Sequence, residues 1–265
     1  MRPRKSRSPK PSGLKTPRLP EPSNREFAEF AKNALGFGSN PPASIESLRM
    51  LSAEKEKAKG SLAETRKFYD RHALEFSRMF KPVFTEKELD AIMRVGNIMP
   101  DDKIASVGSG NAVLESFIAK KLVPKGRVSC VDISKELGLI AKSVAEKSGA
   151  KNLSIINGSA THLPFKDSTQ DKLLAIQTDL SETPFFRQFL KESRRVLKKN
   201  PDSRLVISQP ADSAAVARIV LELTASGFRP VARGQYSVSL GGFGFTNVIL
   251  FAMPVSPMKS IGQRH

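Results

Sequence analysis

A glycine turn at residues 108–110 is the first feature of the sequence that could bind a ligand. It lies in the stretch KIASVGSGNAVLE (residues 103–115), where an apolar run leads into Gly108, Ser109 and Gly110 and then into a helix-like segment. The two glycines would let the backbone approach a ligand closely, and the N-terminus of the helix offers free N–H groups. Similar turns also occur without a ligand, so other residues have to indicate what is bound.

A carboxylate follows at the end of the next apolar run. Asp132 stands 22 residues after Gly110 and ends the segment GRVSCVD, just before Ile133. A carboxylate at this place can accept hydrogen bonds from ribose hydroxyls. The third glycine of a Gly-x-Gly-x-x-Gly fingerprint would fall on Val113. This departure argues against a site for a dinucleotide pyrophosphate.

A second group of polar residues follows the fourth apolar run, in IQTDLSETPFF (residues 176–186). Gln177 and Asp179 would face a second substrate, and Asp179 could act as a general base. An equally good interpretation is that Asp179 or Ser181 caps the loop before the next helix, which is predicted to have Thr183 as its N-cap and Pro184 at its first position. His72 and His162 have no partner at metal-binding spacing, so we expect no metal.

The elements that must position these residues alternate regularly. Five apolar runs, KIASVG, GRVSCVD, LSIINGS, DKLLAIQT and RLVISQ, are separated by amphipathic helices, and two further runs near residues 229–254 predict a hairpin. This pattern predicts an α/β fold with a doubly wound, seven-stranded, mostly parallel sheet. In such a sheet, ligands bind over the carboxyl ends of the strands where the strand order reverses. The glycine turn falls at this place.

The chain divides into four predicted segments: a disordered basic arm (1–25), a helical cap or extension (26–100), the main α/β domain (101–256) and a tail (257–265). The arm has eight Lys or Arg, one acid and six prolines. It cannot offset its ordering entropy by burying apolar surface. Its composition also resembles an organelle transit peptide, although the prolines would break the usual amphipathic helix. In the extension, Thr85 and Glu88 form a capping box that predicts a helix ending at Gly96.

Residues 103–209 resemble class I S-adenosylmethionine-dependent methyltransferases, especially the methyltransferase type 11 group, which includes quinone methyltransferases. The resemblance rests on the glycine turn, on Asp132 and on GSATHLPF (residues 158–165). It implies a Rossmann-like methyltransferase fold with S-adenosylmethionine as the cofactor. The turn would hold the methionine part, Asp132 the ribose, and the 158–165 loop the adenine.

The resemblance extends to the segment KFYDRHALEF, which begins at Lys67 and is similar to the part of these enzymes that folds over the cofactor. It implies that Tyr69 contacts the cofactor. The predicted cofactor-binding residues are therefore Tyr69, Gly108, Ser109, Gly110, Asp132, Ile133, Ser159, Ala160 and Gln177. The predicted catalytic residues are Asp179 and Gln177.

Two residues depart from the family pattern. Ser106 stands where an acid commonly precedes the turn, and Ser159 stands where an aspartate would bind the adenine amino group. A neutral hydrogen bond contributes less than a charge-assisted one. If the partners are buried, each loss would weaken binding by about 1–3 kcal/mol.

The net charge predicts a polyanionic partner. The chain carries +17, of which residues 1–25 hold +7, so the other 240 residues keep +10. RNA or a ribonucleoprotein is the partner that such a charge first suggests. A basic proteome or plain solubility is the alternative. Six cations on the outer helices could form an RNA-facing patch or simply a solvated face: Lys120, Lys121, Arg194, Arg195, Lys198 and Lys199.

Three functions follow from these features. The first is a cytoplasmic methyltransferase that recruits RNA or a ribonucleoprotein through its basic arm. The second is a small-molecule, quinone-type methyltransferase. The third is a catalytically weak methyltransferase-like protein that binds RNA or acts as a scaffold. If the arm is a transit peptide, the compartment is an organelle. No apolar run approaches the roughly 18 residues of a membrane span.

Overall fold

The computed structural model describes residues 23–35, 45–79, 89, 91–93, 95–178, 180, 184–240 and 243–255. Most of the predicted arm, the capping box of Thr85 and Glu88, the predicted base Asp179 and the tail lie outside the described residues. Among the helices described, none is long and apolar enough to cross a membrane.

Seven strands form one sheet. They are β1 (Lys103–Val107), β2 (Arg127–Asp132), β3 (Leu153–Asn157), β4 (Lys172–Ile176), β5 (Arg204–Pro210), β6 (Phe228–Leu240) and β7 (Phe243–Pro254). Their order is β3-β2-β1-β4-β5-β7-β6. Strands β1 to β5 pair in parallel, and β7 runs antiparallel to β5 and β6. The predicted fold class is confirmed, and the strand order reverses between β1 and β4.

Helices cover both faces of the sheet. Within the α/β part lie α5 (Val113–Phe117), which continues as a π-helical turn (Ile118–Leu122), α6 (Lys135–Ser148), α7 (Phe186–Val196) and α8 (Ser213–Ala225). Neighbouring strand residues point to opposite faces. Ile104 accordingly packs into a core with Phe117, whereas Ala105 packs into a second core with Phe189.

Four helices precede the sheet: α1 (Asn24–Leu35), α2 (Ile45–Ala58), α3 (Leu62–Arg71) and α4 (Ala73–Met79). Helix α1 docks on α5 through aromatic rings. Phe27 and Phe30 contact Phe117 edge-on, with ring centroids 5.2 and 5.4 Å away. We refer to α2, α3 and α4 as the cap.

The sequence prediction for the start of α7 is wrong. It places Pro184 at the first helical position, but the helix begins at Phe186, and Pro184 and Phe185 form a turn before it. Phe186 and Phe189 are both buried in the core, and their rings stack with centroids 6.2 Å apart. Phe185 instead lines the cavity at the sheet edge. The helix thus starts where its buried face begins.

Candidate active site

The structure gives a different reason for a glycine at each of the two positions of the turn. Gly108 and Gly110 both adopt positive φ angles, +63° and +54°. A Cβ at Gly108 would come within 2.6 Å of the Thr178 hydroxyl, so close packing excludes a side chain there. A Cβ at Gly110 would meet nothing within 4 Å, and Gly110 lines a cavity. Gly110 therefore leaves space open at the place where a ligand would approach.

Asp132 is bound to the glycine turn. One carboxylate oxygen accepts the Gly110 N–H (2.8 Å), and the other accepts the Ser134 N–H (2.9 Å). Burial raises the pKa of Asp132, the two backbone N–H groups lower it, and nearby Asp70 raises it further. These bonds fix the carboxylate at the end of β2 and leave further acceptor capacity on each oxygen for a ligand.

The loop at residues 158–165 is held by its own side chains and by α7. Ser159 Oγ accepts the Thr161 N–H (3.2 Å) and bonds the Thr161 hydroxyl (2.9 Å). Leu163 N–H donates to Glu192 (2.8 Å), and Arg195 donates to the Leu163 carbonyl (2.9 Å). The charged groups of α7 therefore keep the loop in one conformation beside the turn.

The end of β4 faces the glycine turn. Gln177 has a φ of +55°, which is uncommon for a residue with a side chain, and its N–H donates to the Ser208 carbonyl (2.6 Å). The Thr178 hydroxyl donates to the Val107 carbonyl at the end of β1 (3.0 Å). This contact joins the two strand ends at which the strand order reverses.

The cap covers the site with aromatic rings and polar contacts. The rings of Phe68, Tyr69 and Phe76 lie 5.0–5.7 Å from one another. Asp70 accepts the Ser134 hydroxyl (2.7 Å) and the Glu136 N–H (3.3 Å) at the N-terminus of α6. The cap is therefore tied to the same turn of chain that holds Asp132.

All the predicted cofactor-binding residues lie around one cavity of about 210 Å³. This volume is far above the roughly 10–15 Å³ that one water molecule needs, so the cavity can hold a small molecule. These residues therefore lie at one place in the fold, and their contacts with a cofactor stay a prediction. The cavity is lined by every residue of the predicted set: Tyr69, Gly108, Ser109, Gly110, Asp132, Ile133, Ser159, Ala160 and Gln177.

Sequence reasoning missed other residues that line this cavity, among them Ser77, Asn111, Glu115 and Thr178. One of them, Glu115, could have been found from the sequence. It is an acid at the third position of the helix after the turn, and the residue where an acid was expected before the turn is the uncharged Ser106. Asp179 lies outside the described residues, so its role as a base stays a prediction. Across the described part of the chain, no group of three His, Cys, Asp or Glu residues could hold a metal ion.

Comparison with known proteins assigns the α/β part. A family described as "Methyltransferase domain" matches residues 104–200, from β1 to just past the end of α7. This segment is a class I methyltransferase domain. The domain contains the glycine turn, Asp132, the 158–165 loop and Gln177, and the cofactor of its family is S-adenosylmethionine.

Curated relatives match part of this chain. Demethylmenaquinone methyltransferase from Bacillus cytotoxicus is 30% identical over 106 residues, which are 40% of this chain and 44% of the relative. The enzyme of the same name from Bacillus subtilis is 29% identical over 113 residues, 43% and 48% of the two chains. The chain thus spans less than half the length of these relatives.

Solved structures share the fold. A SAM-dependent methyltransferase from Aquifex aeolicus has a TM-score of 0.51 at 20% identity, over 74% of this chain and all of that one. Magnesium protoporphyrin IX methyltransferase from Synechocystis, solved with bound SAH, has a TM-score of 0.56 at 13% identity, over 72% and 99% of the two chains. Both agree with the Rossmann-like fold of the methyltransferase domain.

The residues present fit S-adenosylmethionine. The space open at Gly110 admits a ligand beside the backbone, and the Asp132 carboxylate is fixed next to it with acceptor capacity remaining. Ser159 keeps a hydroxyl in the loop, although that hydroxyl is already bonded to Thr161. The turn, Asp132 and the loop would hold the methionine, ribose and adenine parts in that order.

Proposed function

We propose that this protein is an S-adenosylmethionine-dependent methyltransferase that acts on a small, largely apolar acceptor beneath the cap. The observation that supports it is the lining of the cavity. Two lysines of the cap, Lys55 and Lys59, line it, but apolar and aromatic side chains from the cap and from the segment after β4 are more numerous, and they are Ala58, Leu62, Phe68, Tyr69, Phe76, Leu180 and Phe185. Such a lining suits an apolar ring or chain better than a polyanion.

The chemistry needs little from side chains. When bound, S-adenosylmethionine supplies an electrophilic methyl group. The chain's own contribution is to hold the acceptor in line and to exclude water, which the cap rings and the fixed strand ends would do. Gln177 follows β4 at the cavity and would orient the acceptor. Asp179, two residues further on, is our proposal for the group that takes the acceptor's proton.

The relatives agree with this acceptor class. They are named for demethylmenaquinone, a quinone. An acceptor with an aromatic hydroxyl would place its apolar ring against Phe68, Tyr69 or Phe76 and its oxygen toward the glycine turn. We therefore propose a hydroxylated aromatic or quinone-type compound as the acceptor class.

The first test is cofactor binding by calorimetry. Wild type should bind S-adenosylmethionine, and Asp132→Asn should bind it at least tenfold more weakly, because a charge-assisted hydrogen bond becomes a neutral one. Asp202→Asn is the matched control, since Asp202 is exposed and distant from the cavity. Absence of binding by the wild type would refute the proposal.

The second test is transfer of a labelled methyl group. We expect transfer to hydroxylated aromatic acceptors, including a short-chain demethylmenaquinone chemically reduced to its quinol before the assay, and none to RNA. Transfer to RNA with no transfer to the small acceptors would instead support the polyanion hypothesis.

That hypothesis, an RNA or ribonucleoprotein acceptor, has one observation in its favour, the net charge of +17. The predicted basic patch supports it less, because four of the six cations bond within the chain. Lys120 donates to the Ser148 carbonyl, Lys121 to Glu26, and Lys198 to Asp171. Arg195 bonds Glu192 and Asp167.

A further inference from the structure

Glu115 is a buried acid on the wall of the cavity. It is the third residue of α5, directly after the glycine turn, and 4% of it is exposed. Its carboxylate accepts the hydroxyl of Ser106 at 2.6 Å. Ser106 is the residue at which an acid is missing from the end of β1. The acid absent from position 106 is therefore replaced, within hydrogen-bond distance, by one at position 115.

Within the described part of the chain, no ion pair includes the Glu115 carboxylate. Its charged neighbours are acids or potential anions, Asp132 and Cys130, both on β2. Burial of a carboxylate is costly unless a positive group or several hydrogen bonds accompany it. A cationic ligand would supply a positive partner for this carboxylate.

A second polar atom at this end of the cavity is also unsatisfied. The Ser77 hydroxyl is buried, lines the cavity and finds no hydrogen-bond partner in the described structure. The Ser77 carbonyl accepts the side-chain amide of Asn111 in the glycine turn (3.4 Å). Polar ligand groups are therefore expected beside the turn.

We propose that Glu115 is a cofactor-binding residue whose carboxylate takes the ammonium group of the methionine part of S-adenosylmethionine, in place of an acid at position 106. The inference rests on the cofactor of the proposed function. The ammonium is chosen over the sulfonium because it has N–H donors for the carboxylate and because Glu115 adjoins the turn that would hold the methionine part.

Calorimetry with three ligands tests this assignment on the full chain at pH 7.5. S-adenosylmethionine has the ammonium and the sulfonium, S-adenosylhomocysteine has the ammonium alone, and methylthioadenosine has neither. Glu115→Gln keeps the shape of the side chain and an oxygen for Ser106. It should weaken binding of the first two ligands by about 10- to 100-fold and leave methylthioadenosine within about twofold.

Two matched variants complete the test. Glu222→Gln removes an acid that pairs with the exposed Arg187 on the outer helices, and it should bind all three ligands as the wild type does. The double variant Ser106→Asp with Glu115→Gln returns an acid to the end of β1. We expect it to recover most of the affinity for the two ammonium ligands.

Each contrary result has a distinct meaning. Failure of the wild type to bind S-adenosylmethionine overturns both this inference and the proposed function. Unchanged binding by Glu115→Gln overturns this inference alone. Weaker binding of S-adenosylmethionine but not of S-adenosylhomocysteine assigns Glu115 to the sulfonium and overturns the ammonium assignment. Equal weakening of all three ligands would show a structural role and overturn it as well.

Discussion

Glu115 and Asp132 are both buried beside the glycine turn, and burial raises the pKa of each. For Glu115, the hydrogen bonds from Ser106 and from its own backbone N–H oppose burial, Asp132 adds repulsion, and the pKa reaches about 7. Without a cationic ligand, this group opposes folding once it ionises. Ligand binding and stability are thus connected through one carboxyl group.

The stability of the ligand-free protein should reflect this group. The pKa of Glu115 is about 7 in the folded protein against an ordinary value of 4.5. The folded state therefore holds the extra proton between these values, and the free energy of unfolding falls as pH rises from about 4.5 to about 7. Between pH 5 and pH 8, we expect Glu115→Gln to gain about 2–3 kcal/mol relative to wild type. Urea unfolding at each pH measures it, and a pH-independent difference would contradict it.

A separate prediction concerns Gly110, because a side chain at this position would extend into the cavity where the ligand would bind. Gly110→Ala should cost about 1–2 kcal/mol of stability because its φ is +54°. It should also weaken S-adenosylmethionine binding more than tenfold, because the added methyl group lies in the cavity. Gly138→Ala in α6 is the matched control. A Cβ there meets ordinary contact at 3.7 Å, so this variant should stabilise the helix slightly and leave binding unchanged.

At this scale the sequence was informative about the turn and Asp132 because their types and spacing are set by local chain geometry. Glu115 escaped prediction for a physical reason. An acid in the first turn of a helix is expected from the helix dipole alone. That its side chain reaches Ser106 at the end of β1 depends on how α5 packs on the sheet.

Among the elements, the cap depends on one acid for its contact with the methyltransferase domain. Asp70 of α3 accepts the Ser134 hydroxyl and the Glu136 N–H at the N-terminus of α6. Ser134 also donates its N–H to Asp132. Ser134 therefore bonds both Asp70 of α3 and the predicted ribose-binding acid, Asp132. Movement of the cap would change the surroundings of Asp132 through this shared residue.

Asp70→Ala should loosen the cap. Removal of two hydrogen bonds to a charged group should cost about 1–3 kcal/mol locally. Hydrogen exchange should accelerate in residues 62–79 and stay unchanged in β4 and β5. The substitution should also lower the pKa of Asp132, because Asp70 raises it. Glu64→Ala is the control on the same helix, since its pair with Lys67 is exposed. Equal exchange in both variants would argue against the Asp70 contact.

Helices and strands were predicted well where a periodic apolar pattern determines them. They were predicted less well where tertiary packing determines where an element begins or what it contacts. The seven strands and the parallel order of β1 to β5 follow from the pattern of apolar runs and helices. The start of α7 did not follow, because Pro184 is a good first helical residue while the burial of Phe186 sets the actual beginning. The placement of the cap over the turn could be taken from the resemblance at Tyr69, but the Asp70 contact could not, since it joins residues 64 positions apart.

For the molecule as a whole, charge and cavity suggest different partners. The charge of +17 favours association with nucleic acid, whereas the lining of the cavity favours a small acceptor. The two are compatible if RNA binding and methyl transfer use separate surfaces. Four of the six cations of the predicted patch bond within the chain, so we expect residues 1–25, which hold +7, to contribute strongly to any RNA affinity.

RNA binding should therefore depend on the arm and on salt. Replacing Arg2, Arg4, Lys5 and Arg7 by glutamine should reduce the slope of log affinity against log salt by about 3–4, because each of these cations would neutralise about one phosphate. Fluorescence anisotropy with a short RNA between 50 and 200 mM salt measures the slope. Replacing Lys199, which is exposed in the bend after α7, is the control. An unchanged slope in the arm variant would locate the RNA-binding surface elsewhere or show that there is none.

The docking of α1 on α5 has a consequence for how the chain is made. Phe27 and Phe30 pack against Phe117, which is translated 90 residues after Phe27. At about 5–20 residues per second, the two rings emerge roughly 5–20 s before their partner exists. During that interval α1 presents aromatic surface that later belongs to the core. A newly made chain therefore exposes these two rings until α5 has been made, and a chaperone that binds aromatic segments would act on α1 during that interval.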